Sequence, residues 1–216
     1  MGVSPESLDA IIITHEHSDH VKGAGPLARR FGLPLYINRR TLDRSIATLG
    51  NLSKPVIVQT GQTLMIKDLV VETFRKCHDA ADPIGLALSH NGVRIGLATD
   101  LGRSTRLVED RLKRCQALIV EFNYDPLMLD EGPYPLDLKR RIKGQDGHLS
   151  NEQGADLLSS VYHEDLKLVV LAHLSETNNH PRKAHQEAAI ALERCKTCES
   201  SILISSQDTP GPMVEL

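Results

Sequence analysis

The apolar run Ala10-Ile11-Ile12-Ile13, closed by Thr14 and followed at once by His15-Glu16-His17-Ser18-Asp19-His20, constrains this chain more than any other stretch. The isoleucines read as a buried strand, and four of the six residues after Thr14 can bind metal. In an extended backbone, side chains two residues apart point the same way, so His15 and His17 are aimed together. Asp19 and His20 then turn off to a second position close by. One such histidine would be explained by a surface loop or by a backbone carbonyl in the core. Three histidines and an aspartate at this spacing are better explained as ligands for two neighbouring cations.

Three more apolar runs end in a potential ligand. Val70-Val71-Glu72-Thr73-Phe74 leads to His78, Arg94 to Thr99 stops at Asp100, and Leu168 to Ala172 stops at His173. Strands that deliver ligands at their C-terminal ends place a site along one edge of a sheet system, where clefts form. A further strand, Ala117 to Glu121, ends in a carboxylate that either supports a metal-bound histidine from behind or stands in solvent.

The rest of the chain reads as strands and helices in an order suited to two sheets flanked by helices. A helix is expected over Val21 to Phe31, closed by Gly32, with a strand at Pro34 to Ile37. Short strands follow at Val56 to Val58, Leu64 to Ile66 and Val70 to Phe74. Asn91-Gly92 marks a hairpin between Ile84 to Ser89 and Val93 to Ala98. Thr105 to Cys115 reads as a helix. Ser150-Asn151-Glu152-Gln153 fits a capping box opening a helix whose inner face is Gly154, Leu157, Leu158, Val161 and Tyr162. A last helix over about Pro181 to Lys196 precedes the strand Ile202 to Ile204.

At 216 residues, the chain suits one domain over 1–216 with a substantial core. The net charge of −3 argues against indiscriminate coating of nucleic acid, which favours strongly basic domains. It leaves a nuclease open, because bound cations would supply the local positive field. Basic residues cluster at Arg111, Lys113 and Arg114 and again at Lys139, Arg140, Arg141 and Lys143; each group is a solvated helix face or a phosphate contact. No apolar run approaches the roughly 20 residues needed to span a bilayer, and the N-terminus has neither the basic start nor the apolar core of a signal peptide, so no membrane partner is expected and the default location is cytoplasmic. Cys195-x-x-Cys198, a lone pair without further ligands, reads as incidental.

His15 to His20 matches in full the His-x-His-x-Asp-His signature of the metallo-β-lactamase fold superfamily, which the chain therefore resembles. The resemblance implies an α/β fold of the αββα sandwich type. It also implies that His15, His17 and His78 hold one metal, that Asp19, His20 and His173 hold a second, and that Asp100 bridges them. Gly147-His148-Leu149-Ser150-Asn151 and Ala172-His173-Leu174-Ser175 are similar to segments of ribonuclease Z. Together with His78-Asp79-Ala80-Ala81-Asp82-Pro83 and Asn178-Asn179 they resemble more closely the YycJ/WalJ-like branch, regarded as 5′ DNA exonucleases. The superfamily usually opens with a β-hairpin region of several tens of residues before the histidine motif. Here the motif comes at residue 15, so the domain is expected to be N-terminally shortened and the first sheet incomplete, with an unpaired edge.

Imidazole and carboxylate ligands without thiolate suit two divalent ions, zinc or manganese. Two such ions can share a hydroxide formed near neutral pH and direct it at phosphorus. Asp19 would ligate metal and orient that nucleophile, and His148 would protonate the departing 3′ oxygen unless it merely packs at a helix entry. Ser150, Ser175, Asn178 and Asn179 are either phosphate donors or loop and cap residues. The reading is thus a dinuclear phosphodiesterase, most simply a 5′-to-3′ exonuclease with DNA favoured over RNA by the resemblance. Two alternatives stay open: a thioester or lactam hydrolase using the same ligands, and an inactive shortened form that still binds metal. Neither the choice of metal nor the oligomeric state is fixed by these residues.

Overall fold

The run at Ile11 folds as a short strand, β1 (Ile11–Ile12), in a computed structural model that describes residues 3–194 and 200–216. β1 pairs in parallel with β2 (Leu35–Asn38), and β2 in parallel with β3 (Pro55–Val58). Alternation assigns the two faces of this small sheet. Ile11, Ile13, Leu35 and Ile37 pack with Val21, Ala24, Ala28, Leu42 and Leu49 of three helices, while Ile12 turns the other way onto Val71, Ile84 and Leu86. The helices are α1 (Ser18–Val21), α2 (Ala24–Phe31) and α3 (Arg39–Leu49).

The expected helix over Val21 to Phe31 is thus two pieces. Pro26, third in α2, has no N–H to donate back to Lys22, so the ladder cannot run through Lys22 and Gly23. Gly32 closes α2 at φ 63°, in the left-handed region where an absent Cβ costs nothing. α3 has no counterpart in the sequence reading. Its buried face is Thr41, Leu42, Ser45 and Leu49, half of it polar, so the apolar pattern is thin. Local hydrogen bonds support it instead: Asn38 Oδ1 caps the Thr41 amide at 2.9 Å, and the Ser45 hydroxyl donates to the Thr41 carbonyl.

The second sheet has seven strands: β4 (Thr63–Ile66), β5 (Leu69–Arg75), β6 (Ile84–His90), β7 (Val93–Ala98), β8 (Ala117–Glu121), β9 (Leu168–Ala172) and β10 (Ser201–Ile204). Its order is β10-β9-β8-β7-β6-β5-β4, parallel from β10 to β7 and antiparallel from β7 to β4. The antiparallel half consists of the expected hairpins, and the parallel half needs helical crossovers. These include α4 (Arg106–Leu112), α5 (Pro126–Glu131), α6 (Leu136–Lys143), α7 (Asn151–Val161) and α8 (Pro181–Glu193). The main core lies between this sheet and α4, α7 and α8, around Phe74, Leu118, Val120, Val169, Leu112, Leu158 and Ala188.

Helices, three-stranded sheet, seven-stranded sheet and helices make the four layers of an αββα sandwich. The first sheet is the smaller one, and among the described residues β1 has a strand partner on one side only. The capping box forms as read: Ser150 Oγ accepts from the Gln153 amide, and the Gln153 side chain accepts from the Ser150 amide. Cys195, Cys198 and the last two residues of the expected final helix, 195 and 196, lie outside the described residues.

Candidate metal centre

The C-terminal ends of β1, β5, β7 and β9 meet on one edge and bring their ligands together. His15, His17 and His78 place one ring nitrogen each within 4.8 Å of one another, and so, with one oxygen or nitrogen each, do Asp19, His20, Asp100 and His173. Asp100 stands between the groups. Its Oδ1 is 3.8 Å from Nε2 of both His15 and His78 and 3.4 Å from Nε2 of His173, while its Oδ2 is 3.4 Å from Nε2 of His20. Asp19 Oδ2 is 3.4 Å from His20 Nε2 and 3.8 Å from His173 Nε2. All seven residues expected as ligands from the sequence are therefore neighbours.

Asp100 and His173 also share a backbone peculiarity, φ of 54° and 59°. The left-handed region costs a residue with a Cβ roughly 1–3 kcal/mol, and such strain gathers at functional sites. The turn out of the strand brings each side chain back over the sheet edge.

The ring nitrogens fit cations. His78 Nδ1 lies 3.0 Å from the Gly147 carbonyl and His17 Nε2 lies 3.2 Å from the Asp79 carbonyl. A carbonyl only accepts, so those nitrogens carry the protons. His78 Nε2 and His17 Nδ1 then face each other at 3.1 Å as two lone pairs. Burial holds the His78 pKa down at about 4, so the ring is not protonated at neutral pH to relieve the contact. Two nitrogens on one tetrahedral zinc stand roughly 3.3 Å apart, which is close to this spacing. Moreover, His15 Nε2, His20 Nε2 and Asp100 Oδ2 are buried without a hydrogen-bond partner, a costly arrangement for donors and acceptors that nothing fills. Burial likewise pushes His15 down to about 2, leaving its lone pair free.

Glu121 settles the alternative left by its position in the sequence: it is fully buried behind the site. Its Oε1 accepts from His173 Nδ1 at 2.7 Å, from His148 Nδ1 at 2.9 Å and from the Asp100 amide at 3.1 Å. Its Oε2 accepts from the amides of Leu101 and Leu149. Burial alone would raise the Glu121 pKa, but the bonds from His148 and His173 outweigh it and hold the group at about 2. One carboxylate thus fixes the tautomers of two histidines and turns both Nε2 atoms toward the site. In His173, burial favours the neutral ring, and bonds to Asp19 and Glu121 override it, raising the pKa to about 10 in the metal-free site. Asp100 is held well below the usual carboxylate range: burial opposes its charge, but His20 and Lys76 stabilise it more.

Two residues escaped the sequence reading. Lys76 is buried, with Nζ donating to the Thr99 carbonyl at 2.6 Å and standing 3.9 Å from Asp100 Oδ2; burial pushes its pKa down. A lysine beside a cation site breaks the rule that ligands announce themselves, and no spacing marks it. Asn123 donates to the His173 carbonyl at 2.7 Å and helps hold its left-handed turn.

The hydroxyl and amide residues proposed as either phosphate donors or caps divide toward the second role. Ser150 caps α7, Asn151 and Asn179 bond each other, Asn179 also donates to the Phe122 and Asn123 carbonyls, and Ser175 Oγ accepts from the Asn178 amide. Both polar atoms of the Asn178 side chain are buried and unpartnered, which nothing in the structure explains. The basic segment Lys139 to Lys143 lies on α6 and is largely internally paired: Lys143 with Asp130, Arg140 with Asp137, Lys139 with the Asp130 carbonyl, and Arg141 with Asp79. Only Arg141 lines the cleft of about 970 Å³ that opens beside His148 and His173.

Residues 2–174 match the family model described as Beta-lactamase superfamily domain. The chain is similar to the exodeoxyribonuclease YycJ of Bacillus anthracis, 37% identical over 86% of this chain and 71% of that protein. It is also similar to the exodeoxyribonuclease WalJ of Streptococcus pneumoniae serotype 2, 34% identical over 98% of this chain and 81% of that protein. Among solved structures, its fold is similar to that of the metallo-β-lactamase fold protein YhfI of Bacillus subtilis, with a TM-score of 0.69, 16% identity and coverage of 94% and 78% of the two chains. Zn(2+)-bound PqqB of Methylobacterium extorquens is similar at a TM-score of 0.63, 18% identity and coverage of 91% and 70%.

Proposed function

From the premise that this chain belongs to the β-lactamase superfamily, in the family of the YycJ and WalJ exodeoxyribonucleases, and is a metal-dependent hydrolase, we propose that it is a dinuclear phosphodiesterase that trims DNA from the 5′ end. The observation that carries the reading is Glu121 holding both a ligand of the metal cluster, His173, and a histidine outside the two ligand groups, His148. In this reading His15, His17 and His78 hold one ion, Asp19, His20 and His173 the other, and Asp100 both. Divalent ions bound there, zinc or manganese, would supply Lewis acidity toward a phosphoryl oxygen and lower the pKa of water. Neutral imidazoles and carboxylates suit either ion.

The residues of the chain do the rest. Asp19, the most exposed of the ligands, accepts a proton from the attacking water and orients it. Its carboxyl is held below the ordinary range, chiefly by the hydrogen bond with His173, so it is ionised and can orient the water by accepting its hydrogen bond, passing any proton it takes on to solvent. His148, its Nδ1 fixed on Glu121, presents Nε2 to the leaving group. As the P–O3′ bond breaks, the bonding pair goes to O3′ and His148, entering the step as the doubly protonated ring, gives that oxygen its Nε2 proton and keeps Nδ1–H on Glu121. Water supplies the new P–O bond, so the products are a 5′-phosphorylated shortened strand and a free 3′ hydroxyl on the released nucleotide. The support for DNA is the likeness to the exodeoxyribonucleases YycJ and WalJ, and the 5′ end rests on the resemblance of His78 to Pro83, Gly147 to Asn151 and Ala172 to Asn179 to the YycJ/WalJ-like branch.

The test is a time course on oligonucleotides labelled at the 5′ or the 3′ end, run with zinc and with manganese, beside a lactam and a glutathione thioester. Prompt release of a labelled mononucleotide from the 5′ label and little turnover of the small substrates are expected. Release only from the 3′ label rejects the direction, and faster thioester or lactam turnover rejects the reaction class.

A further inference from the structure

The charge pattern of the cleft beside His148 and His173 is not explained by the metal centre. Its volume of about 970 Å³ is at the upper end of pockets for small ligands, roughly 300–1,000 Å³. Among its lining residues Arg141 is the one Lys or Arg, and that guanidinium is already paired with Asp79; Glu176 adds a carboxylate. A track for successive phosphates needs several unpaired cations, so most of this cleft suits an uncharged group. Its lining includes an aromatic and apolar stretch, Tyr134 and Leu138 packed on Ile142, together with the hydroxyl of Ser175, which accepts from the Asn178 amide and can still donate, and that of Ser205, which donates to the Leu171 carbonyl and can still accept. A flat apolar surface with hydrogen-bonding groups nearby is the chemistry of a base and its sugar.

We infer that the cleft is the subsite of one nucleoside, the unit on the leaving-group side of the scissile phosphate, with its base against Tyr134 and Leu138 and its sugar beside Ser175 and Ser205. The inference rests on the phosphodiesterase reading, because His148 lines the cleft and identifies that side. The scissile phosphate takes the metal end, near Arg141, and the uncharged unit fills the remainder. Contact through a π-face rather than through donor and acceptor patterns accepts any base. A trimming enzyme of this design removes nucleotides with little regard to sequence.

Binding to the metal-loaded protein tests this without turnover. The probes are the four deoxynucleoside 3′-monophosphates, an abasic deoxyribose 3-phosphate and inorganic phosphate, compared by titration calorimetry. The four nucleotides should bind within a few-fold of one another and about tenfold tighter than the abasic compound and phosphate. Tyr134→Ala should erase that advantage while leaving phosphate affinity and metal content unchanged, and Tyr134→Phe should keep it. Equal affinity for the abasic compound and the nucleotides overturns the inference, as does an undiminished advantage in a folded Tyr134→Ala protein. The ligand comparison on the unaltered chain decides even where that variant fails to fold. Base-dependent binding in a protein that cleaves no oligonucleotide rejects the phosphodiesterase reading and keeps the base subsite. Cleavage of DNA without base-dependent binding does the reverse.

Discussion

Asp100 and His148 are both close to the reacting region, yet they should fail in different ways when removed. Asp100 lies between the two ligand groups and is buried, so Asp100→Ala takes a ligand atom from each side. Loss of most of the bound metal, read by elemental analysis after gel filtration, is expected. His148→Ala should keep its metal and lose about 10²-fold or more in kcat, since a positioned general acid contributes roughly 10²–10⁴-fold. Metal loss in that variant would make His148 a ligand, which its place near Asp100, Glu121 and His173 leaves open as the contrary outcome. His173 adds a pH dependence. With its pKa raised to about 10 in the metal-free site, it keeps a proton at pH 8 that a metal must displace from Nε2. Metal affinity should therefore climb by up to about tenfold per pH unit on His173 alone, levelling off as pH nears 10. In the metal-free protein the sign is opposite: that proton adds stability fully below the unfolded pKa of about 6.5, and the contribution fades as pH rises through about 10. Zinc titrations at pH 7, 8 and 9 check the first effect, and a flat affinity across them would reject it.

At the scale of elements, the site depends on how closely α7 is pressed to β8. Gly154 sits on the inner face of α7, and a Cβ there would stand 2.7 Å from the Glu121 carbonyl oxygen and 2.9 Å from the Phe122 ring. Gly154→Ala favours the helix by propensity yet forces the helix off the strand, and overpacking of this kind costs about 1–3 kcal/mol. The variant should lower the denaturant midpoint and weaken metal binding together, because Glu121 moves with its backbone. A stabilised variant with unchanged metal affinity would show that α7 adjusts freely. The same neighbourhood shows what a sequence can and cannot disclose about elements. β8, β9 and the capping box of α7 were legible because long apolar runs and a Ser-x-x-Gln spacing depend on adjacent residues. α3 was not, because half its buried face is polar and its support comes from Asn38 and Ser45. The break between α1 and α2 does have a local signal, Pro26, against the single helix expected over Val21 to Phe31.

For the whole molecule, the clustering of the seven candidate ligands was legible because each follows the end of a strand, directly or within a few residues, and strands are the part of a sequence that periodicity reveals best. Lys76 and the pairing of Arg141 were not, because Lys76 meets the Thr99 carbonyl across a separation of 23 positions and Arg141 meets Asp79 across 62, which no local pattern encodes. The distribution of ligands over the layers has a mechanical consequence. His15 and His17 come from the segment after β1 and Asp19 and His20 from α1, whereas His78, Asp100 and His173 follow β5, β7 and β9 of the seven-stranded sheet. Bound metal therefore staples the small first sheet and its helices to the larger layer. Apart from that staple the layers meet through Ile12 on Val71, Ile84 and Leu86, the Ile84 amide on the Thr14 carbonyl, Asn38 on the Asp82 carbonyl, the Ala81 amide on Glu16 and the Lys67–Asp9 ion pair. Binding to the folded state alone stabilises it by mass action, so chelation should lower Tm by several degrees. The loss should be uneven. Hydrogen exchange after chelation is expected to rise first in β1 to β3 and α1 to α3, whose core is the smaller one, while β8, β9 and α7 stay protected by the main core. A uniform rise across both sheets would mean that the layers unfold as one unit and that the metals add no more to the first layer than to the second.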